Sequence, residues 1–278
     1  GSEYKFNNGK AGVAYFTHKT YSKIVITKEI TADTLTFNYH DYNNVTINWD
    51  AAIMFGNKIT GTYVDGTYVL TINEDATAHN ISMLNSNALP SVKLVGNATL
   101  EITDLASKLN SLTIENANLK FSSTLTINAL TLKGENASIE TSNLSTKTLI
   151  IDDANYTANS NFSVENINVI NKGSLTVNGL LTTTNLLVEN GSTLNVTGAN
   201  SDAISVSNNG NLRLFGNVNI TAASGKTGIC FAKAESAIYL TDTSRVTISG
   251  GAYTIGHFNT ANNAKVYYPK NATNANNK

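Results

Sequence analysis

Cysteine is nearly absent from this chain of 278 residues, since Cys230 is the only one. One thiol forms neither a disulfide framework nor a thiolate metal cluster, so neither class of small stapled fold applies. Cys230 lies in the apolar run Gly228-Ile229-Cys230-Phe231. We therefore expect it to be a strand residue and not a reactive thiol.

Charge is also scarce. Charged residues make up 14% of the chain, the formal net charge is −1, and only Arg213 and Arg245 among the 19 basic residues are arginines. This composition gives no electrostatic footprint for nucleic acid or an anionic membrane. No apolar run approaches the roughly 18–20 residues that span a bilayer, so no membrane span is expected. We predict a monomer.

The familiar catalytic signatures are missing as well. The sequence contains no G-x-S-x-G, P-loop, dinucleotide fingerprint or H-E-x-x-H. The four histidines are scattered along the chain, and each is expected to be an ordinary polar or structural residue. No organic cofactor is predicted, and calcium is the only ion that any group of residues suggests. The histidines are His18, His40, His79 and His257.

What the chain does contain is a short phrase repeated at a nearly constant interval. The phrase is Asn or Asp, a small residue, any residue and an aliphatic or aromatic one, as in Asn116-Ala117-Asn118-Leu119. An interval near 19 residues is typical of solenoids, in which each unit buries its apolar face against its neighbours. The small residues, at steps of 20, 17, 19, 18 and 19, are Ala117, Ala137, Ala154, Gly173, Gly191 and Gly210.

Each repeat also divides into short triplets that alternate apolar and polar residues. Examples are Leu112-Thr113-Ile114, Leu119-Lys120-Phe121 and Leu125-Thr126-Ile127. This alternation is the pattern of a strand with one buried face, and three strands separated by turns make a three-sided coil. Parallel crossovers are right-handed in about 98% of cases. We predict an all-β, single-stranded right-handed parallel β-helix, with about 11–12 coils of ~19 residues.

Stacked coils turn each position of the phrase into a column. The Asn or Asp column is predicted to adopt turn conformations and to stack its amides in a ladder, and the small column is predicted to fill a crowded corner. Three residues after the small residue lies an outward column whose first members alternate in sign, which favours neighbours by ~0.2–1 kcal/mol. That column is Glu101, Lys120, Glu140, Thr157, Thr176, Asn195 and Arg213.

The whole repeat region is predicted to be one domain, residues 1–268, followed by a flexible tail at 269–278. Its parts are an aromatic-rich N-terminal cap with the first coils, a coil bearing a hairpin, the regular coils and the looser C-terminal coils. Their respective ranges are 1–50, 51–75, 76–220 and 221–268. Asp65-Gly66 favours a two-residue turn, so the hairpin is predicted there, with Tyr63 opposite Tyr68.

The aromatic residues of the first seventy positions have two interpretations. They cover the open end of the first coil, or they form a contact surface for a glycan or a host or cell-surface protein, because Tyr and Trp supply binding hot spots. Projecting hairpins also bind partners. The candidate binding residues are Tyr39, His40, Tyr42, Trp49, Tyr63 and Tyr68.

A second candidate site is an acidic column two positions before the small residues. Glu115, Glu135 and Asp152 would be successive carboxylates about 5 Å apart, with a repulsion of about 0.8 kcal/mol per pair in water and about 3 kcal/mol at a dielectric of 20. The column is therefore solvated, neutralised by a cation such as Ca²⁺, or catalytic. Calcium is the metal expected if these side chains form a site.

The triplets and the Asn column over residues 75–250 resemble the right-handed β-helix superfamily. This superfamily includes pectate lyases, polygalacturonases and bacterial adhesin or autotransporter passenger domains. Of the polygalacturonase motifs Asn-Thr-Asp, Asp-Asp, Gly-His-Gly and Arg-Ile-Lys, only Asp152-Asp153 matches, and Gly256-His257-Phe258 departs from the third. Arg213 and Arg245 do not reproduce the catalytic arginine of pectate-lyase-like sites. In character the chain is most similar to the passenger-type adhesins, which impose no residue motif.

These observations predict a secreted or surface-displayed bacterial β-helix whose signal peptide has been removed. Its expected role is that of an adhesin-like, non-catalytic module that binds glycan or protein or serves as a spacer. The alternative is a polysaccharide lyase or glycoside hydrolase with carboxylates on adjacent coils.

Overall fold

The chain folds into a parallel β-solenoid of about seven turns, with coils about 20 residues apart. The structure is a computed structural model that describes residues 24–26, 35–39, 53–55, 59–65, 67–85, 91–104, 109–233, 235–257 and 265–267. Throughout these ranges the secondary structure is β, and no helix is long and apolar enough to span a membrane. The predicted fold is confirmed.

The strands are short near the N-terminus and longest in the middle of the chain. The first twelve are β1 (Ile24–Ile26), β2 (Leu35–Tyr39), β3 (Ile53–Phe55), β4 (Ile59–Val64), β5 (Thr67–Ile72), β6 (Ala76–Asn85), β7 (Ser91–Gly96), β8 (Thr99–Asp104), β9 (Leu109–Glu115), β10 (Asn118–Lys133), β11 (Ser138–Asp152) and β12 (Asn155–Ala158). The others are β13 (Phe162–Ser163), β14 (Asn166–Ile170), β15 (Ser174–Val177), β16 (Leu181–Val188), β17 (Thr193–Thr197), β18 (Ile204–Leu214), β19 (Asn217–Ala222), β20 (Thr227–Phe231), β21 (Ala237–Tyr239), β22 (Arg245–Gly250), β23 (Tyr253–His257) and β24 (Lys265–Tyr267).

Two compact units make up the chain, residues 1–146 and 147–278. In the first unit, β5 pairs in parallel with β7, β7 with β9, and β9 with the end of β10. A second parallel series joins β6, β8 and the start of β10. Buried leucines and isoleucines alternate with exposed residues along these strands, as the triplets predict.

The hairpin lies where Asp65-Gly66 predicts it. Strands β4 and β5 are antiparallel, with Tyr63 opposite Tyr68 and Val64 opposite Thr67. Asp65 has a φ of 48°, which fits the first central position of a type I′ turn. Strand β3 also pairs antiparallel with β4, so parallel coiling in this unit begins at β5.

The second unit is the more regular one and shows three faces per coil. One face stacks β14, the end of β16, the end of β18, β21 and β24. Another stacks β12, β15, β17, β19 and β22. The remaining face stacks β13, the start of β16, the start of β18, β20 and β23.

The corner of small residues is real, but its later members differ from those predicted. Backbone hydrogen bonds place Ala98 beside Ala117 and Ala117 beside Ala137 in the first unit. In the second unit they join Ala154 to Gly173, Gly173 to Ser192, Ser192 to Gly216 and Gly216 to Arg245. A side chain at Gly173 would collide with the Ile151 carbonyl, and one at Gly216 would collide with those of Glu189 and Ser192, which explains why the corner stays small.

Gly210 was assigned to the wrong face by the repeated phrase. Asn211 and Leu212 pair with Asn185 and Leu186, one face away from the corner. The error has a physical cause: an Asn followed by a small residue favours any turn of the coil, so the phrase marks corners without saying which one. Upstream, Ala76 pairs with Leu100 and is likewise outside the corner column.

Fewer coils are present than the 11–12 expected. The pairings before β5 are partly antiparallel, so they do not add regular turns. The last coils are also longer, because the corner step grows from 19 residues to 24 between Ser192 and Gly216 and to 28 between Gly216 and Ser244.

The core is a set of inward columns of aliphatic side chains. Leu175, Leu194 and Val218 occupy successive coils of one column and are all 0% exposed. In the first unit the apolar interior leaves a gap of about 20 Å³ beside Leu94, Leu112 and Phe121. Since a buried water needs polar partners, this gap is expected to be dry.

Leu194→Ala is expected to lower the free energy of unfolding by about 2–5 kcal/mol, because it leaves a cavity in a closed apolar column. The matched control is Thr197→Ala on the same strand, whose side chain is exposed and whose loss should stay within about 0.5 kcal/mol. Urea denaturation followed by circular dichroism measures both. Equal losses in the two variants would contradict the inward assignment.

Candidate functional site

The aromatic candidates near the N-terminus fall mostly outside the described residues. Tyr39 is the last residue of β2, whereas His40, Tyr42 and Trp49 lie in the part of the chain that is not described. Tyr63 and Tyr68 are opposite each other in the hairpin, and their side chains are outside the description. Their proposed role in binding stays a prediction.

The acidic column is not built as predicted, because Glu115 has a lysine beside it. The register places Lys133 opposite Glu115, and Lys93 is one coil away on the other side, opposite Thr113. The Nζ atom of Lys93 lies 2.6 Å from Oε2 of Glu115, and that of Lys133 lies 3.4 Å from Oε1. Glu115 is thus the centre of a Lys-Glu-Lys ladder.

The two lysines determine the ionisation of this carboxylate. The close contact with the Lys93 ammonium is the largest cause that lowers the pKa of Glu115 below 4.5; burial opposes it, and the charges of both lysines reinforce it. Oε2 is buried and has no hydrogen bond of good angle, so its 2.6 Å contact acts as a charge–charge contact. Glu115 is therefore ionised at neutral pH.

Glu135 departs from the column because the corner beside it is longer. The step is 18 residues along the strands, from Glu115 to Lys133, but 20 at the corner, from Ala117 to Ala137. The two extra residues place Glu135 in an exposed turn. The sequence prediction assumed one constant step, and this local difference is why it was wrong here.

Asp152 ends β11 in the second unit and accepts a hydrogen bond of 2.7 Å from the Asn171 side-chain amide. Among the described residues, no group of three or more His, Cys, Asp or Glu side chains is arranged to hold a metal ion. Calcium binding by Glu115, Glu135 and Asp152 therefore has no support from the geometry of these ligands.

Glu115→Gln is expected to lower stability by about 0.2–1 kcal/mol at neutral pH, since the side chain is partly exposed and its ion pairs are screened. A carboxyl whose folded pKa is lowered contributes stability that is present above its unfolded pKa and lost as the pH falls through the folded pKa. Urea midpoints of the two proteins should therefore converge below pH 4.5. A constant difference over that range would contradict the ion-pair ladder.

Cys230 is a buried residue of β20, as its apolar surroundings predict. Burial raises the pKa of its thiol to about 11, and the negative charge of Asp202 adds to the effect. Because the thiolate is the reactive form, this cysteine is protonated and inert in the folded chain.

Iodoacetamide at pH 8 is expected to leave Cys230 unmodified in the folded protein, since roughly one thiol in a thousand is ionised there and the sulfur is buried. In urea the same residue should alkylate at the rate of a free thiol. Intact-mass measurement over time follows both reactions. Equal rates in the two conditions would show that the strand is open.

Asparagine ladders are present, but at other columns than the one predicted. The side-chain amide of Asn128 donates to Asn110 at 3.2 Å, that of Asn178 to Asn159 at 3.3 Å, and that of Asn219 to Asn195 at 2.9 Å. The predicted column instead supplies turn residues. Positive φ values of 56° at Asn116, 52° at Asp153 and 68° at Lys172 confirm that part of the prediction.

The outward column of alternating charge holds in both units as far as Asn195. Lys120 is opposite Glu101, and its Nζ lies 3.7 Å from Oε2 of Glu140. In the second unit Thr157, Thr176 and Asn195 follow one another, and the next member is Asn219. Arg213 was predicted in that position but lies on another face, because Gly210 was assigned to the wrong corner.

Arg213 belongs instead to a surface that we call the outer strip, on the face of β14, β16, β18, β21 and β24. Arg213 stacks on Leu187 and Tyr239, and Tyr239 stacks on Tyr267. An adjacent column of amides runs beside it, in which Asn185 donates to Asn166 at 2.9 Å. The outer strip comprises Asn166, Asn185, Asn211, Leu187, Arg213, Tyr239 and Tyr267.

Two tyrosine rings give the outer strip a flat aromatic surface. The Tyr239 and Tyr267 rings are stacked, with centroids 5.0 Å apart and planes inclined by 6°. Tyr267 is 47% exposed, and Arg213 is exposed with no hydrogen-bond or ion-pair partner among the described residues. Stacked tyrosines beside amides and a guanidinium offer a planar apolar surface surrounded by hydrogen-bond donors and acceptors.

Sequence reasoning missed these tyrosines because the coils that carry them are long. The signal was available in the triplets Ala237-Ile238-Tyr239 and Lys265-Val266-Tyr267, which share an apolar centre and a final tyrosine. They are 28 residues apart, so a search at an interval near 19 does not align them.

We compared the chain with protein families, curated proteins and solved structures, and no family model, curated protein or solved structure matches it.

Proposed function

We propose that this protein is an adhesin-like, non-catalytic β-solenoid that binds glycan through the outer strip, on the bacterial surface or after secretion. The observation that carries the proposal is the stacked pair Tyr239–Tyr267, which is exposed and lies on the same column as Arg213. Exposed aromatic rings are costly to leave in water and are enriched at binding sites.

The chemistry of the outer strip matches that of a sugar. A pyranose ring has apolar C–H faces, which pack on aromatic rings, and hydroxyl groups around its edge, which exchange hydrogen bonds with amides. Asn166, Asn185 and Asn211 supply such amides on the neighbouring column, and the Arg213 guanidinium adds further donors. Together these groups provide both kinds of contact on a surface set by rigid strands.

The ladder below the strip supports a display role. Its inward residues, among them Leu186, Leu212 and Ile238, are 3% exposed or less, so the outward side chains are held on a packed sheet. A binding surface on rigid strands loses little conformational entropy when ligand binds.

The double variant Tyr239→Ala/Tyr267→Ala is expected to weaken glycan binding at least about tenfold, which corresponds to about 1.4 kcal/mol. The probes are immobilised xylan, laminarin, polygalacturonate and alginate, with affinity measured by calorimetry on soluble fragments of any polymer retained. The matched control is Tyr253→Ala, because this tyrosine is 67% exposed but belongs to another face of the coil.

Failure of all four polymers to bind, or an equal effect of the control variant, would overturn the proposal. The same incubations test the alternative of a glycan-cleaving enzyme. Polymer cleavage that Glu135→Gln abolishes would end the non-catalytic assignment.

A further inference from the structure

Three Asn-Gly pairs lie in the described part of the chain, and their surroundings differ sharply. The pairs are Asn178-Gly179, Asn190-Gly191 and Asn209-Gly210. An Asn followed by Gly is the sequence most prone to spontaneous deamidation, because glycine does not obstruct attack by its own backbone nitrogen on the asparagine amide. Whether the reaction occurs in a folded chain depends on whether the two residues are free to rotate.

The first pair, Asn178-Gly179, is held on both sides. The Asn178 backbone N–H donates to Ala158 at 2.8 Å, and its side-chain amide donates to Asn159 at 3.3 Å. Gly179 is buried against the backbone of Ser160 and Asn161. The amide carbon and the glycine nitrogen are therefore kept apart.

Asn209-Gly210 is constrained in another way. Both residues are part of strand β18, and Gly210 is buried against the Thr184 carbonyl and the Val206 side chain. The Asn209 amide also lies 3.5 Å from Oε2 of Glu235. Reaction at this pair requires the strand to open.

Asn190-Gly191 has none of these restraints. Both residues are exposed in the turn between β16 and β17, Gly191 has a φ of 83°, and nothing lies within 4 Å of the place where a side chain would be. Within the described structure neither the Asn190 amide nor the Gly191 backbone N–H has a hydrogen-bond partner. The turn is closed instead by the next residue, since the Ser192 N–H donates to Glu189 at 3.0 Å.

We propose that Asn190 is a site of spontaneous covalent modification in the folded protein. The Gly191 backbone nitrogen attacks Cγ of Asn190, and ammonia leaves as the succinimide ring closes. Water then opens the ring at either carbonyl, to give aspartate or isoaspartate, and no oxidant or reductant is needed. The inference is independent of the proposed glycan binding.

The product changes the charge and the backbone of a corner that has a defined neighbour. The strands before and after the turn are in register with those of the preceding coil, Val169 with Val188 and Ser174 with Thr193. The new carboxylate therefore lies near Lys172 of the preceding turn and directly after Glu189. Isoaspartate in addition lengthens the main chain of this turn by one methylene.

The test is to incubate the folded chain at mildly alkaline pH and to follow all three pairs by peptide mapping, with isoaspartate identified by fragmentation. Conversion at Asn190 is expected to be at least about tenfold faster than at Asn178 and Asn209. In urea the three pairs should convert at similar rates, which shows that the difference arises from the fold. Asn190→Gln should remove the fast phase and leave the two slow sites unchanged.

Two results would overturn the inference. One is conversion at Asn178 or Asn209 as fast as at Asn190 in the folded chain. The other is no faster conversion at Asn190 in the folded chain than at the protected pairs, while the same peptide converts in urea.

Discussion

Parallel register is the constraint on which the rest of this molecule depends. Backbone hydrogen bonds between neighbouring coils fix every residue above its counterpart, so one inward position becomes a closed apolar column and one outward position becomes a ladder. A single inward residue such as Leu194 is buried only because Leu175 and Val218 are buried on either side of it. Packing and register are therefore one property of this fold.

The outward ladders show how a nearly uncharged chain satisfies its surface. Where charges occur in the first unit they alternate, as in Lys93, Glu115 and Lys133, which turns stacking into attraction. Elsewhere amides fulfil the same role without charge, because each one is both a donor and an acceptor and bonds to an identical neighbour. Columns of like residues are thus favourable for Asn and unfavourable for Glu.

Sequence reasoning predicted the fold well and the sites poorly, and the reason lies in the coil corners. Alternating triplets and the Asp65-Gly66 turn are local signals, so the strands and the hairpin were recovered. Columns require the exact length of every coil, and an error of two residues exchanged Lys133 for Glu135 beside Glu115. The outer strip needed the longer step that brings Tyr267 onto Tyr239, which no local pattern reveals.

The unequal coils of the second unit have a consequence for how this sequence varies over time. Corner steps of 19, 24 and 28 residues coexist while Leu194, Val218 and Val246 remain in register. The added residues are therefore accommodated between strands, where they disturb no ladder. Codon insertions at these corners are tolerated by the architecture, whereas a single added codon within a triplet would turn the following side chains inside out.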